Sequence, residues 1–252
     1  MALDIYAGTL TRYYTKNWKT ATQKFAEENG FEYNLVTKNE EEFTLQPQEI
    51  LEGVLNWKNQ LLSDISGNFN ETVFWKEDIE ETPYYTDNIG WTARGALLLY
   101  IACKNLNKEI PLNIDRDFDV SNDPIFQEYV NSTREVNTLV DYCEWWIPLQ
   151  EQFIFKYPAP NGNEIVIGTV GMLKSELEKI NNLEWKATND EIINWSNTEG
   201  YSTNKFIQNG KLINVNDNSV DNTISLAKFA FSILWQAVEF SKKNGTVILH
   251  DY

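Results

Sequence analysis

Two segments of this chain are too apolar to lie anywhere but in a protein interior. Ile89–Leu106 reads as a helix that is apolar nearly all round. Ile224–Ser241 reads as a strongly apolar helix, built on Leu226, Ala230, Ile233, Leu234, Ala237 and Val238. A surface helix keeps one polar face, whereas a helix without one needs cover on every side. The longest apolar stretches, Ala96–Cys103 and Phe229–Trp235, are too short and too interrupted to span a bilayer. The rest of the 252 residues must therefore wrap these two helices in a core, and 42% hydrophobic residues supply the material for one.

The covering elements are legible from periodicity. Asp4–Leu10 alternates loosely and reads as a strand. Asn17 is placed to cap a helix through Trp18, Ala21, Phe25 and Ala26 that stops at Asn29-Gly30. Pro47–Ile65 carries Ile50, Leu51, Val54, Leu55, Leu61 and Leu62 at helical spacing, with Gly67 as the stop. Phe69–Trp75 reads as a short strand or extended segment, and Pro124–Val136 as a helix capped by Asn122 or Asp123. Gln152–Tyr157 and Glu164–Thr169 flank Pro158-Ala159-Pro160-Asn161-Gly162-Asn163, which is turn chemistry and predicts a hairpin. Helices on Leu173, Leu177 and Ile180 and around Glu191–Trp195 follow, and Thr246–Asp251 closes with a strand. The pattern is that of one α+β domain over residues 1–252. Several helices pack on a small, mostly antiparallel sheet, in one lobe or two.

Charge narrows the partner. The chain holds 37 acidic residues against 21 basic ones, a net charge of −16, and only four arginines. Phosphate binding relies on Lys and Arg, so free nucleic acid is a poor ligand. A basic protein is the natural electrostatic complement, although carboxylates also serve solubility alone. The opening Met1-Ala2-Leu3-Asp4-Ile5-Tyr6 lacks a basic stretch followed by an apolar run, so no signal peptide or membrane association is expected and the cytoplasm is the default. Cys103 and Cys143, each in apolar or aromatic surroundings, read as small buried hydrophobes.

Most familiar chemistry is excluded by residue type. With one histidine and two distant cysteines, no structural zinc site forms within the chain. Asp115-Arg116-Asp117-Phe118-Asp119 opens like a calcium loop, but Val120 stands where the glycine is needed and Phe126 where the closing glutamate belongs. We read it as a solvated acidic loop and expect neither metal nor cofactor. Any Ser-His-Asp arrangement would need His250, which reads instead as a strand residue making a structural hydrogen bond. Gly168-Thr169-Val170-Gly171 reads as a tight strand-to-helix turn. Carboxylate chemistry of the glycosidase kind needs only two acids and aromatic platforms; Asp4 near Tyr6, Glu144 beside Trp145-Trp146, Glu151, and Glu184 beside Trp185 qualify by type.

Two places rise above background as binding candidates. Arg94 lies at the start of the most apolar helix, where a charge must snorkel or find a carboxylate or carbonyl partner. Its structural reading is an ion pair. The other place is the first strand and its exit: Asp4 and Tyr6 share a face with Gly8, and Thr11, Arg12, Tyr13 and Tyr14 emerge beyond it. Asp4, Tyr6, Arg12, Tyr13, Arg94, Glu144, Trp145 and Trp146 are thus the candidate binding residues.

The run from Met1 through Asp4-Ile5-Tyr6-Ala7-Gly8-Thr9-Leu10-Thr11-Arg12 to Tyr13-Tyr14 resembles the opening of a family of uncharacterised bacterial proteins. Tyr157-Pro158-Ala159-Pro160-Asn161-Gly162, Ile167-Gly168-Thr169 and the Leu173–Leu183 helix are similar to the same family. That resemblance implies no particular activity. In size, acidity and α+β makeup the chain also resembles the immunity proteins of bacterial polymorphic-toxin systems. This likeness implies a binding protein that neutralises a basic toxin domain by occluding its surface. The alternatives are a carboxylate-dependent enzyme acting on a sugar or other small polar substrate, and a structural or regulatory domain that self-associates.

Overall fold

The computed structural model describes residues 3–31, 45–70, 72–132, 134–202, 205–208, 211–214 and 220–252. Asp4–Gly8 forms strand β1 and is buried throughout. Gly8 is where the strand must lack a side chain, because the Tyr6 ring folds back across it. A Cβ there would sit 2.3 Å from the Tyr6 hydroxyl, which donates to the Thr9 carbonyl at 2.9 Å. Thr9 then caps a one-turn helix, α1 (Leu10–Tyr14), so Arg12, Tyr13 and Tyr14 leave the strand in a helix. Helix α2 (Ala21–Glu28) begins at Thr20 rather than Asn17, because Thr20 and Gln23 form a reciprocal capping box that the Asn17 side chain does not supply. Pro47 opens α3 (Pro47–Asp64) as expected. Phe69–Trp75 joins no sheet in its described residues; Glu71 lies outside them.

Strand β2 (Tyr85–Asn88) leads through Gly90, at φ +68°, into α4 (Trp91–Asn105), whose residues Gly95–Cys103 are all buried. Strand β3 (Asn113–Asp115) and α5 (Pro124–Asn131) follow, the latter capped by Asp123 and ending before Val136. Strands β4 (Trp145–Ile147), β5 (Ile154–Pro158) and β6 (Glu164–Thr169) precede α6 (Val170–Leu183) and α7 (Asn189–Thr198). The chain continues with β7 (Lys205–Gln208), β8 (Lys211–Asn214), β9 (Val220–Asn222), α8 (Thr223–Asn244) and β10 (Val247–Asp251).

The main sheet has six strands in the order β2-β1-β10-β4-β6-β5, antiparallel throughout except that β4 runs parallel to β6. The predicted hairpin is the β5–β6 pair. Two small two-stranded sheets, β3–β9 and β7–β8, stand apart from it. Alternation sends Ile5, Ala7, Trp146 and Ile248 to one face, where α4 and α8 form the larger apolar cluster. Tyr6, Trp145, Ile147, Val247 and Leu249 point the other way, toward Val54 and Leu61 of α3. The two apolar helices anticipated from the sequence are thus the two central ones, and they pack on each other. The protein is a single α+β unit. No helix among the described residues is long and apolar enough to cross a membrane.

The Tyr6–Gly8 contact predicts that Gly8→Ala destabilises the fold by about 1–3 kcal/mol, since the buried ring must move. Urea unfolding measures it. Combined with Tyr6→Leu, the loss is expected to be less than additive, because the shorter side chain no longer crosses residue 8.

Candidate functional site

Four strand ends meet at one end of the main sheet. Register pairs Asp4 with both Asp251 and Asn88, and Leu249 with Trp145. The residues just beyond these ends come together: Trp91 after β2, Tyr142 and Glu144 before β4, and Tyr252 after β10. Ile89 and Gly90 both donate backbone N–H groups to the Leu3 carbonyl, which fixes where α4 starts. Trp91, Tyr142 and Tyr252 are exposed by 45%, 69% and 65%, unusual for large aromatics. The Trp91 and Tyr252 rings meet edge to face with centroids 5.7 Å apart. Tyr142 holds φ at +55°, a left-handed conformation that bulky residues rarely adopt outside sites that need it.

Between the first turns of α4 and the loop after β3 lies a cavity of about 590 Å³. Trp91, Arg94, Leu98, Arg116, Phe118 and Tyr142 are among its lining residues. Arg94 does not form the ion pair expected from its position. Its Nη2 donates to the Leu139 carbonyl at 3.2 Å, and no carboxylate lies within ion-pairing distance among the described residues. Burial lowers its pKa, and the neighbours that oppose the shift are Tyr142, Tyr252 and Cys143 rather than an acid. Arg116 stands 3.6 Å from Asp221, a buried carboxylate that also accepts from the Ser202 N–H and hydroxyl. Behind Arg94, His250 packs edge to face on Trp146 at 5.1 Å and makes no side-chain hydrogen bond among the described residues. Burial, and then the Arg94 charge, push its pKa down to about 3, so the imidazole is neutral at physiological pH.

The opposite face of this sheet end holds the other candidates. Asp4 is buried and accepts from Asn88 Nδ2 at 3.0 Å, and burial raises its pKa. Tyr13 donates to Asp251 Oδ1 at 2.6 Å, so Asp4 and Tyr13 meet through Asp251. Tyr6 lies deeper, against Tyr13 and Trp18 with centroids 5.4 and 4.8 Å away. Arg12 is buried with its guanidinium over the Tyr84 ring at 5.2 Å. Trp145 and Trp146 are core residues on opposite faces of β4, at 7% and 0% exposure, and so present no surface for binding. Glu144 is half-exposed beside Tyr252, whose pKa it helps to raise after burial. Arg94 and Glu144 therefore belong to the exposed end of the sheet, and Asp4, Tyr6, Arg12 and Tyr13 to the aromatic layer beneath it.

The carboxylates considered for acid–base work are dispersed. Glu151 accepts from the Asn70 N–H, and Glu184 is bound by Lys104 and the Tyr100 hydroxyl. No two of Asp4, Glu144, Glu151 and Glu184 line a common cavity among those described. No group of three or more His, Cys, Asp or Glu among the described residues is arranged to hold a metal ion. Cys103 and Cys143 are free and buried. The Asp115–Asp119 loop does carry exposed acids, but its Arg116 and Phe118 turn out to line the cavity. Sequence reasoning missed Trp91, Tyr142 and Tyr252 because exposure of an aromatic is decided by packing partners distant in the chain.

It also missed Glu176, a buried acid on α6. Thr138 donates its N–H and hydroxyl to the Glu176 carboxylate at 2.7 and 2.5 Å, and itself accepts from Trp146 Nε1 at 2.9 Å. Burial drives the Glu176 pKa up to about 7 despite these donors. Comparison of the chain with known protein families, with characterised proteins and with solved structures gives no match.

The Glu176 shift has a sign that can be checked. The folded chain holds this proton more tightly than the unfolded one, so the group favours folding most at acid pH and that advantage is lost as pH rises through 7. Glu176→Gln is expected to remove this slope. Its stability relative to the parent should rise by about 3 kcal/mol from acid to mildly alkaline pH, read from urea unfolding at a series of pH values.

Proposed function

We propose that this protein is an acidic binding protein that neutralises a basic partner domain by covering its surface, as immunity proteins of polymorphic-toxin systems do. The observation that carries the reading is the exposed aromatic group Trp91, Tyr142 and Tyr252 at one end of the sheet. Trp and Tyr are the residue types that most often anchor protein interfaces. Here they are presented on a rigid base, since Trp91 begins a buried helix and Tyr252 follows a central strand. Exposed Asp115, Asp117 and Asp119 stand on the adjoining loop, and Glu144 lies between Tyr142 and the strand. The net charge of −16 supplies a field that draws a cationic domain from a distance.

The test is neutralisation. Growth arrest caused by a basic effector domain encoded beside this chain is expected to be relieved by co-expression of the protein. Association of the purified pair should slow as ionic strength rises, because screening shortens the reach of the field. The triple variant W91A/Y142A/Y252A is expected to bind about 100-fold more weakly while keeping its circular dichroism spectrum. An association rate indifferent to salt would refute the steering, and a triple variant of parental affinity would refute the surface.

A further inference from the structure

We infer that the cavity beneath Trp91 is a binding site for a carboxylate carried on a flat apolar body, with Arg94 as the group that receives the carboxylate. This goes beyond the protein–protein reading and does not depend on it.

The starting observation is a guanidinium without a counter-charge among the described residues. Of the four arginines, Arg134 pairs with Asp141, Arg116 approaches Asp221 and Arg12 is covered by the Tyr84 ring at 5.2 Å, whereas Arg94, at the cavity wall, keeps one carbonyl partner at 3.2 Å. Withdrawing a guanidinium from water is unfavourable unless an anion or several acceptors replace the solvent. A chain with 37 acidic residues had ample means to place a carboxylate there. The neighbours it does place are Tyr142, Tyr252, Cys143 and the neutral His250, and Asp117 and Asp119, which also line the cavity, stand beyond ion-pairing distance, so the charge remains available to a ligand.

The surroundings specify the rest of the ligand. Leu98, Phe118, Val120, Phe126 and Val140 give the cavity apolar walls, and Trp91 and Tyr142 flank it. Gly95 lets the wall close: a Cβ there would already touch Phe118 and Val120 at 3.4 Å. A volume of about 590 Å³ lies within the usual range for small organic ligands. The helix start does not act as a phosphate cradle. The Ala93 N–H is taken by the Tyr201 hydroxyl at 3.2 Å, and the Arg94 N–H by the Gly90 carbonyl at 3.1 Å. Asp117 and Asp119 on the same lining loop, offset only in part by Arg116, oppose a dianion about twice as strongly as a monoanion. A monocarboxylate on an aromatic or aliphatic body satisfies all of these features, and Arg is the side chain best suited to hold it bidentately.

Isothermal titration calorimetry with 3-phenylpropanoate, 3-phenylpropanamide and inorganic phosphate tests the site. The carboxylate is expected to bind saturably, the amide about tenfold more weakly or worse, and phosphate not measurably. Arg94→Met is expected to lower carboxylate affinity to that of the amide while leaving the unfolding midpoint unchanged or raised, since an unpaired buried charge is removed. A structural arginine would instead lower that midpoint. Equal binding of acid and amide, phosphate binding as tight as the acid, undiminished binding in Arg94→Met, or no heat from the acid up to about 10 mM would each overturn the inference. Should Arg94→Met fail to fold, the structural role is the correct one for that residue and the inference falls with it.

Discussion

The antiparallel pairing of β1 with β10 fixes the rest of this structure. The two strands are separated by almost the whole chain, yet they lie side by side in the middle of the sheet, with β2 and β4 attached outside them. Both are buried on both faces over most of their length. A slip of one residue would turn Ile5, Ala7 and Ile248 away from the helical cluster and expose Tyr6, Val247 and Leu249 to it, so the register is strongly specified. Gly245 makes the pairing possible from the α8 side. It reverses the chain at φ +66°, donates its N–H to the Ser241 carbonyl, and leaves room for the Phe74 carbonyl, 2.8 Å from where a Cβ would stand. The same register gathers Asp4, Glu144, Asp251 and Tyr252 at one end, which is where the exposed aromatics stand.

The acids of the chain stand in three distinct settings. Some carboxylates serve the interior: Glu77 accepts from the Leu10 and Thr11 N–H groups, the Thr11 hydroxyl and Trp75 Nε1, and so closes the start of α1. Glu176 does the same for the turn at Thr138, and Asp221 for the backbone at Ser202. Others neutralise surface lysines, as Glu184 does for Lys104 and Glu239 for Lys174. Such exposed pairs contribute little to stability. The loop Asp115–Asp119 is different: Asp115 and Asp117 stand exposed without an ion pair among the described residues, next to the cavity. A net charge read from composition cannot distinguish these settings, because each depends on which donors folding brings near each acid.

What the sequence made legible follows the same division. Local signals were sufficient for α3, α4, α6, α8 and the β5–β6 hairpin, where periodicity, Pro47 and the Asn161-Gly162 turn all agree. They failed where two caps compete: Thr20 and Gln23 outbid Asn17 because the reciprocal box satisfies two backbone groups at once. Periodicity alone extends β1 to Leu10, because the first-turn N–H groups of α1 are satisfied by Glu77, which is remote in sequence. At the site, Arg94 stands out locally as a charge on an apolar helix, but its lack of an acidic partner among the described residues is a tertiary fact. Trp145 and Trp146 drew attention as tandem tryptophans, yet in a central strand their alternation simply sends one ring into each half of the core.

Length scale reconciles the anion site inferred at Arg94 with so acidic a protein. The net charge acts through the solvent and is screened over about 8–10 Å at moderate ionic strength, so it governs what approaches the molecule. Arg94 acts only at contact, behind Trp91 and Tyr142, where apolar walls lower the local dielectric and strengthen any charge-assisted hydrogen bond that forms. The field favours cations at the rim, and the wall of the cavity favours an anion that has already entered. On the proposed function a large basic domain would rest on the aromatic rim, while the cavity beneath would admit only a group small enough to pass it. The two proposed kinds of recognition would then draw on different charges, the carboxylates for the domain and Arg94 for the small anion.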